Sequence, residues 1–254
     1  MKLPLSVRAR DALNALGYWL LPGACASCWE PIAGPEEDFL CPGCRASLEV
    51  VTWPACACSQ APAAPGTKLQ CSLCKPLPAS FCSARAAFPY AGVVGQMIRN
   101  LKYRRGEHIA DPLARLVIAR LGPWIDGLRE AGHVDLVVPA PIHAWRRFQR
   151  GFNQAEALAS VLGRLTGLPV EAHGVQRIAN PRAQARRHGH DARLAAMVGA
   201  FAVIDPARVQ GRGVLLVDDV MTTGATMSRC AEALMAGGAR EVHLLAVAVA
   251  GAFP

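Results

Sequence analysis

Two adjacent carboxylates, Asp218 and Asp219, follow the apolar run Val214–Val217, and two residues further on comes Thr222-Thr223-Gly224-Ala225-Thr226. The apolar run reads as a buried strand and Ala225–Ala236 as a helix, which puts the Thr/Gly turn at a helix N-terminus. Backbone amides there have no intrahelical partner and carry the positive end of the helix dipole, a setting suited to a phosphate monoester. Gly224 allows close approach, and the hydroxyls of Thr222, Thr223 and Thr226 add donors. Carboxylates just upstream can accept hydrogen bonds from two neighbouring hydroxyls. Ribose 5-phosphate offers that combination. An ordinary capped strand-to-helix turn is the alternative, and it needs one Asp rather than two.

A second chemistry-bearing pattern lies near the start of the chain. Cys25-x-x-Cys28 is followed after twelve residues by Cys41-x-x-Cys44, and Cys56-x-Cys58, again after twelve residues, by Cys71-x-x-Cys74. Each Cys-x-x-Cys turn aims two sulfurs at one centre, and two turns complete a tetrahedral thiolate set of the kind that binds zinc. About two structural zinc ions per chain are expected from these eight residues. The second set departs from the pattern, because Cys56-x-Cys58 is one residue short of the usual knuckle. Cys82 and Cys230 stand outside both sets.

Positive charge is concentrated in the middle of the chain. The formal charge is +8, and residues 81–195 hold seventeen Lys/Arg against eight Asp/Glu, while the flanks are near balance. Such a surplus implies an anionic partner, phosphate groups or a nucleic-acid backbone, or else a solvated basic face. Arg146, Arg147 and Arg150 form one group. Arg182, Arg186, Arg187, His188 and Arg193 form another. Arginine presents forked donors matched to phosphate oxygens.

The elements that must position these groups fall into three zones. Residues 1–22 read as an amphipathic helix, with Leu5, Ala9, Leu13, Leu16 and Leu20 at helical spacing. Residues 23–80 are rich in Cys, Pro, Gly and Ala, a double zinc-ribbon segment that needs its metal to fold. From Ser83 onward strand and helix patterns alternate, which predicts an α/β domain with a mainly parallel sheet over 83–254. Strands are expected at Arg85–Tyr90, Val134–Val138, Val175–Ile178, Val214–Val217 and Val242–Val249. Helices are expected at Gly92–Leu101, Ile109–Leu128, Gln154–Leu165 and Ala225–Ala236, with a basic loop at Ala140–Gly151. No apolar run is long enough to span a membrane, and the compartment is read as the cytoplasm.

The run from Val214 to Thr226 resembles the signature of type I phosphoribosyltransferases. Together with Lys102-Tyr103, Arg150-Gly151-Phe152-Asn153-Gln154 and the preceding cysteine module, the chain is similar to the ComF family from about Cys25 to Val249. The resemblance implies a cytoplasmic protein with a phosphoribosyltransferase-like domain behind a zinc module, linked to uptake of transforming DNA. It implies 5-phosphoribosyl pyrophosphate and Mg²⁺ as ligands, with Asp218 and Asp219 toward the ribose and metal. Thr222, Thr223, Gly224, Ala225 and Thr226 would hold the 5-phosphate. Arg146, Arg147 and Arg150 would hold the pyrophosphate, and the 182–193 segment would stand where type I enzymes carry a mobile lid.

Three functions remain open on these grounds. The first is an Mg²⁺-dependent phosphoribosyltransferase with no legible acceptor. The second is a non-catalytic accessory protein that binds single-stranded DNA alongside other DNA-uptake proteins and keeps only the phosphoribosyltransferase fold. The third is a sensor that binds phosphoribosyl pyrophosphate without turning it over. A Gly-x-x-x-x-Gly-Lys-Ser/Thr loop is absent from the sequence, which excludes a nucleotide-driven motor of that type.

Overall fold

The computed structural model describes residues 23–32, 39–50, 81–103, 106–142, 144–178 and 200–250. The expected helix at 1–22, the cysteines Cys56, Cys58, Cys71 and Cys74, and the segment carrying Arg182, Arg186, Arg187, His188 and Arg193 lie outside the described residues. The centre of the fold is a four-stranded sheet of β1 (Ser83–Pro89), β2 (Leu136–Pro139), β5 (Gly213–Met221) and β6 (Glu241–Val249). Its order is β1-β6-β5-β2 and every pairing is parallel, in agreement with the α/β reading. A two-stranded antiparallel ribbon, β3 (Gln176–Arg177) with β4 (Phe201–Ala202), stands apart from it.

An all-apolar strand in a parallel sheet must bury both faces, because successive side chains point to opposite sides. In β5, Leu215 and Val217 enter one core and Val214 and Leu216 the other. The first core is covered by α2 (Gly92–Lys102), α3 (Ala110–Glu130) and α5 (Gln154–Thr166). The second is covered by α6 (Ala225–Ala236), through Met227, Cys230, Ala231 and Leu234.

The first cysteine module belongs to the same packing. It includes the short helix α1 (Pro42–Ala46), which starts directly after Cys41 and carries Cys44. Cys25, Ala26, Ile32 and Leu40 are buried in the first core, together with Val93, Val94 and Met97 of α2. Asn100 of α2 fastens the module: its side-chain amide donates to the carbonyls of Ala26 at 2.9 Å and Ser27 at 3.0 Å. In return the Ser27 hydroxyl donates to the Val93 carbonyl at 3.2 Å.

Two expectations shift. The strand expected at Val214–Val217 continues to Met221, because β6 runs alongside and keeps pairing as far as Val249. Asp218 and Asp219 therefore lie within the strand, with Asp218 opposite Ala246, and not in the loop beyond it. The segment read as a basic loop, Ala140–Gly151, is largely a helix, α4 (Ala144–Arg150). The helical run has no Gly or Pro to break it until Gly151, which has φ +86° and ends it. Among the described residues no helix is long and apolar enough to cross a membrane.

Candidate functional site

The carboxyl ends of parallel strands are where open α/β sheets hold ligands, because the strand-to-helix loops diverge there. A cleft of about 300 Å³ opens at that edge, bordered by the ends of β1, β2 and β5. Asp218, Asp219, Thr222 and Thr226 line one side, and Lys102, Arg150, Gln154 and Arg177 bring polar and cationic groups from elsewhere. Tyr90 at the end of β1 and the Ala140–Ile142 turn after β2 complete the wall.

Beside Asp219 stands Lys102, the last residue of α2, with its ammonium 3.1 Å from the carboxylate. The same ammonium lies 5.6 Å from the centre of the Tyr90 ring. The Asp218 side chain accepts from the backbone amide of Asp219 at 2.8 Å. Burial, then the charge of neighbouring Asp219, pushes the Asp218 carboxyl well above the usual carboxylate range, and Lys102 and the Asp219 amide offset this only in part. Such a pair gains from cations or hydroxyl donors brought to it.

The Thr222–Thr226 turn leads from the end of β5 into α6. Gly224 caps α6 with φ +72°, a conformation that glycine adopts without a Cβ clash. Thr222, Thr223, Ala225 and Thr226 are exposed around it, at the start of a twelve-residue helix whose first amides have no intrahelical partner. Thr222 and Thr226 face the cleft itself, whereas the Thr223 hydroxyl accepts from the Ala225 amide at 3.4 Å.

The three arginines of α4 divide. Arg150 lines the cleft and donates to the Gln154 side chain at 2.7 Å. Arg147 is turned to Glu156 of α5, 3.5 Å away, and stands outside the cleft lining. The side chain of Arg146 falls outside the described part. Helix α5 is aligned by Asn153, whose side chain accepts from the Ala155 amide and donates to the Ala140 carbonyl at the end of β2.

Tyr90, Arg177 and the pairing of Lys102 with Asp219 were not legible from residue types. Tyr90 carried one usable signal: it ends a strand on the ligand-binding edge. Arg177 carried none, since its position follows from the small β3–β4 ribbon, where it stacks 5.3 Å from the Phe201 ring.

The four cysteines of the first set converge as their spacing requires. The Sγ atoms of Cys25, Cys28, Cys41 and Cys44 all lie within 4.8 Å of one another, with Cys28 and Cys41 3.7 Å apart. Sulfurs around tetrahedral zinc at about 2.3 Å stand about 3.8 Å apart, so the donor set fits that ion. Burial raises the Cys25 thiol, but the backbone amides of Cys28, Cys41 and Ser27 outweigh it and bring the pKa to about 7. Burial and the other three thiols push Cys44 up to about 12. Four thiolates this close repel one another, and a dication at their centre removes the repulsion. Trp29, just past the first knuckle, takes φ +67°, and its amide donates to the Cys25 carbonyl at 3.0 Å to close the turn.

Comparison with known proteins agrees with this architecture. Residues 149–252 match the model of the phosphoribosyl transferase domain. The DNA utilization protein YhgH of Escherichia coli K12 is 31% identical over 234 residues, covering 91% of this chain and 90% of its own length. YhgH of Salmonella typhimurium LT2 is 30% identical over 230 residues, covering 88% and 96%. Competence protein F of Haemophilus influenzae is 25% identical over 223 residues, covering 84% and 91%. A solved structure of the allosteric regulatory enzyme of purine biosynthesis superposes at a TM-score of only 0.34 and 19% identity, over 56% of this chain and 26% of its own. With its cysteine cluster, its parallel α/β sheet and relatives matched over nine-tenths of their length, the chain belongs to the ComF family, whose members carry a phosphoribosyl transferase domain.

Proposed function

We propose that this protein binds 5-phosphoribosyl pyrophosphate with Mg²⁺ in the cleft at the end of β5, and that it serves DNA uptake as the names of its relatives indicate. One observation carries the reading: Asp218 and Asp219 share a cleft with the N-terminal turn of α6, and Lys102, Arg150 and Arg177 supply positive charge around it. The 5-phosphate sits against the open amides of the turn and the hydroxyls of Thr222, Thr223 and Thr226, with Gly224 and Ala225 giving backbone access. The ribose hydroxyls donate to Asp218 and Asp219. Both carboxylates are hard oxygen donors, the kind that hold Mg²⁺ together with substrate phosphates. Asp218 and Asp219 would hold such an ion, and its chemistry would be to offset negative charge on a pyrophosphate leaving group. The position of Arg150 in the cleft lining supports a role for it in binding pyrophosphate, with Arg146 and Arg147 on the same helix. Any transfer reaction would pass through a cationic sugar, which the half-buried carboxylates would favour. The zinc module is read as two structural sites, the second from Cys56, Cys58, Cys71 and Cys74, and the protein as cytoplasmic.

A second reading, non-catalytic binding of single-stranded DNA, draws on one feature. Phe148 is 79% exposed on α4, in a run of sequence that holds Arg146, Arg147 and Arg150. An aromatic between cations is the usual means of stacking bases along a phosphate backbone. Titration calorimetry of the zinc-loaded protein separates the two. Phosphoribosyl pyrophosphate with Mg²⁺ should bind, and binding should disappear without the ion. Single-stranded DNA should bind with a salt slope that flattens in the Arg146/Arg147/Arg150→Ala variant, by about 0.7 for every phosphate left without its arginine. Heat from DNA with none from phosphoribosyl pyrophosphate would reject the first reading in favour of the second.

A further inference from the structure

A second group of metal-ligating side chains meets at the opposite end of the sheet from the cleft, where the amino ends of β1 and β6 lie side by side. No sequence spacing announces it. Ser83 and His243, 160 residues apart in the chain, stand opposite each other in the parallel ladder, and the Cys82 amide donates to the Val242 carbonyl at 2.8 Å. Glu241 and His243 are two apart on one strand and so project from the same face. The Cys82 sulfur, a Glu241 carboxylate oxygen and an imidazole nitrogen of His243 all fall within 4.8 Å of one another.

His133, in the turn that leads toward β2, brings a second imidazole. Its Nδ1 is 3.0 Å from Glu241 Oε2, and His243 Nε2 is 3.4 Å from the same oxygen. Ligands around a tetrahedral ion at about 2.0–2.3 Å stand about 3.3–3.8 Å apart, so Cys82, Glu241 and His243 need only modest adjustments to share one ion, while His133 reaches Glu241 but not the whole group. We propose that Cys82, Glu241 and His243 form a binding site for a divalent transition ion of the zinc class, with a fourth position open to water or to His133, which is held beside Glu241. One sulfur, one imidazole nitrogen and one carboxylate oxygen suit Zn²⁺, Co²⁺ or Ni²⁺, and disfavour Mg²⁺ or Ca²⁺, which take oxygen ligands.

Two details of the surroundings fit a built site. Ser83 Oγ lies 2.7 Å from His243 Nδ1, so the hydroxyl holds the ring and leaves Nε2 turned to the shared Glu241 oxygen. An outer partner of this kind fixes both tautomer and orientation in metal-bound histidines. Burial is graded as well: His243 is 4% exposed, while Cys82 and His133 are exposed and open a way in from solvent. Glu241 also serves Arg240, but through its other oxygen, Oε1, at 3.2 Å, and Arg240 shares its charge with Asp135 at 3.2 Å. The ion pair and the metal site therefore use different oxygens.

This inference stands apart from the phosphoribosyl reading, since the two sites occupy opposite edges of the sheet and have different readouts. The test is a Co²⁺ titration of the full-length protein with its ribbon zinc in place, read by thiolate-to-cobalt absorption and by metal analysis of each variant. Wild type should take up one ion per chain more than Cys82→Ala, a change at an exposed position outside any strand. Ser83→Ala, which leaves all three ligands intact, should retain the ion with affinity weakened roughly 10–100-fold. Equal stoichiometry and identical spectra for wild type and Cys82→Ala would overturn the proposal.

Discussion

Asp218 and Asp219 face a conflict that belongs to the individual residue. Two carboxylates at the end of a buried strand repel each other, and Lys102 at 3.1 Å from Asp219 relieves only part of that charge. Functional sites often hold such groups at a cost to the empty fold. Asp218→Asn should therefore raise the melting temperature of the ligand-free protein, because the amide keeps the shape and drops the charge that burial and Asp219 disfavour. The double variant Asp218→Asn/Asp219→Asn should lose Mg²⁺-dependent binding of phosphoribosyl pyrophosphate by roughly a hundredfold or more, at roughly 1.5–3 kcal/mol for each hydrogen bond to a charged group. Thermal melts and calorimetry on the same samples check both. Unchanged affinity in the double variant would contradict the assignment of these residues to the ribose.

At the scale of elements, α2 joins the two halves of the protein. Its apolar face packs on the sheet and on the first cysteine module, and its C-terminal Lys102 reaches the cleft. Asn100, buried in that helix, donates to two carbonyls of the Cys25–Cys28 knuckle. Replacing it by Ala leaves those carbonyls without their donor in a place closed to water. Asn100→Ala should destabilise the protein by about 1–3 kcal/mol, measured by urea unfolding. A loss confined to zinc affinity, with unfolding unchanged, would place Asn100 in the service of the metal alone.

For the molecule as a whole, the first metal module is part of the core and not an appendage. Ile32 and Leu40 are fully buried against the helices that cover the sheet, each contributing roughly 1.5–3 kcal/mol through burial. The knuckles that present them hold their shape through the thiolate set. Stripping zinc with a strong chelator should therefore lower the melting temperature of the entire chain, and probes in the sheet should report the drop as well as probes in the module. A scan in which the sheet melts at an unchanged temperature after chelation would show the two parts to be independent.

Local rules were enough for the groups whose partners lie close in sequence. Two Cys-x-x-Cys turns can aim their sulfurs only at a common centre, and the apolar strand with Asp218, Asp219 and the Gly224 turn has one natural ligand edge. The parallel sheet was legible for the same reason, since alternating strands and helices leave few other arrangements. What the fold alone decided depends on strand order and register. Pairing with β6 carried β5 past the carboxylates, and helix formation in α4 sent Arg147 to Glu156 while Arg150 reached the cleft. The meeting of Cys82 with Glu241 and His243, and the approach of His133 to Glu241, is the extreme case. Those residues come from three distant segments, and only the lateral order β1-β6-β5-β2 sets the start of β6 beside the start of β1. Spacing along a chain cannot encode a contact created by which strand lies next to which.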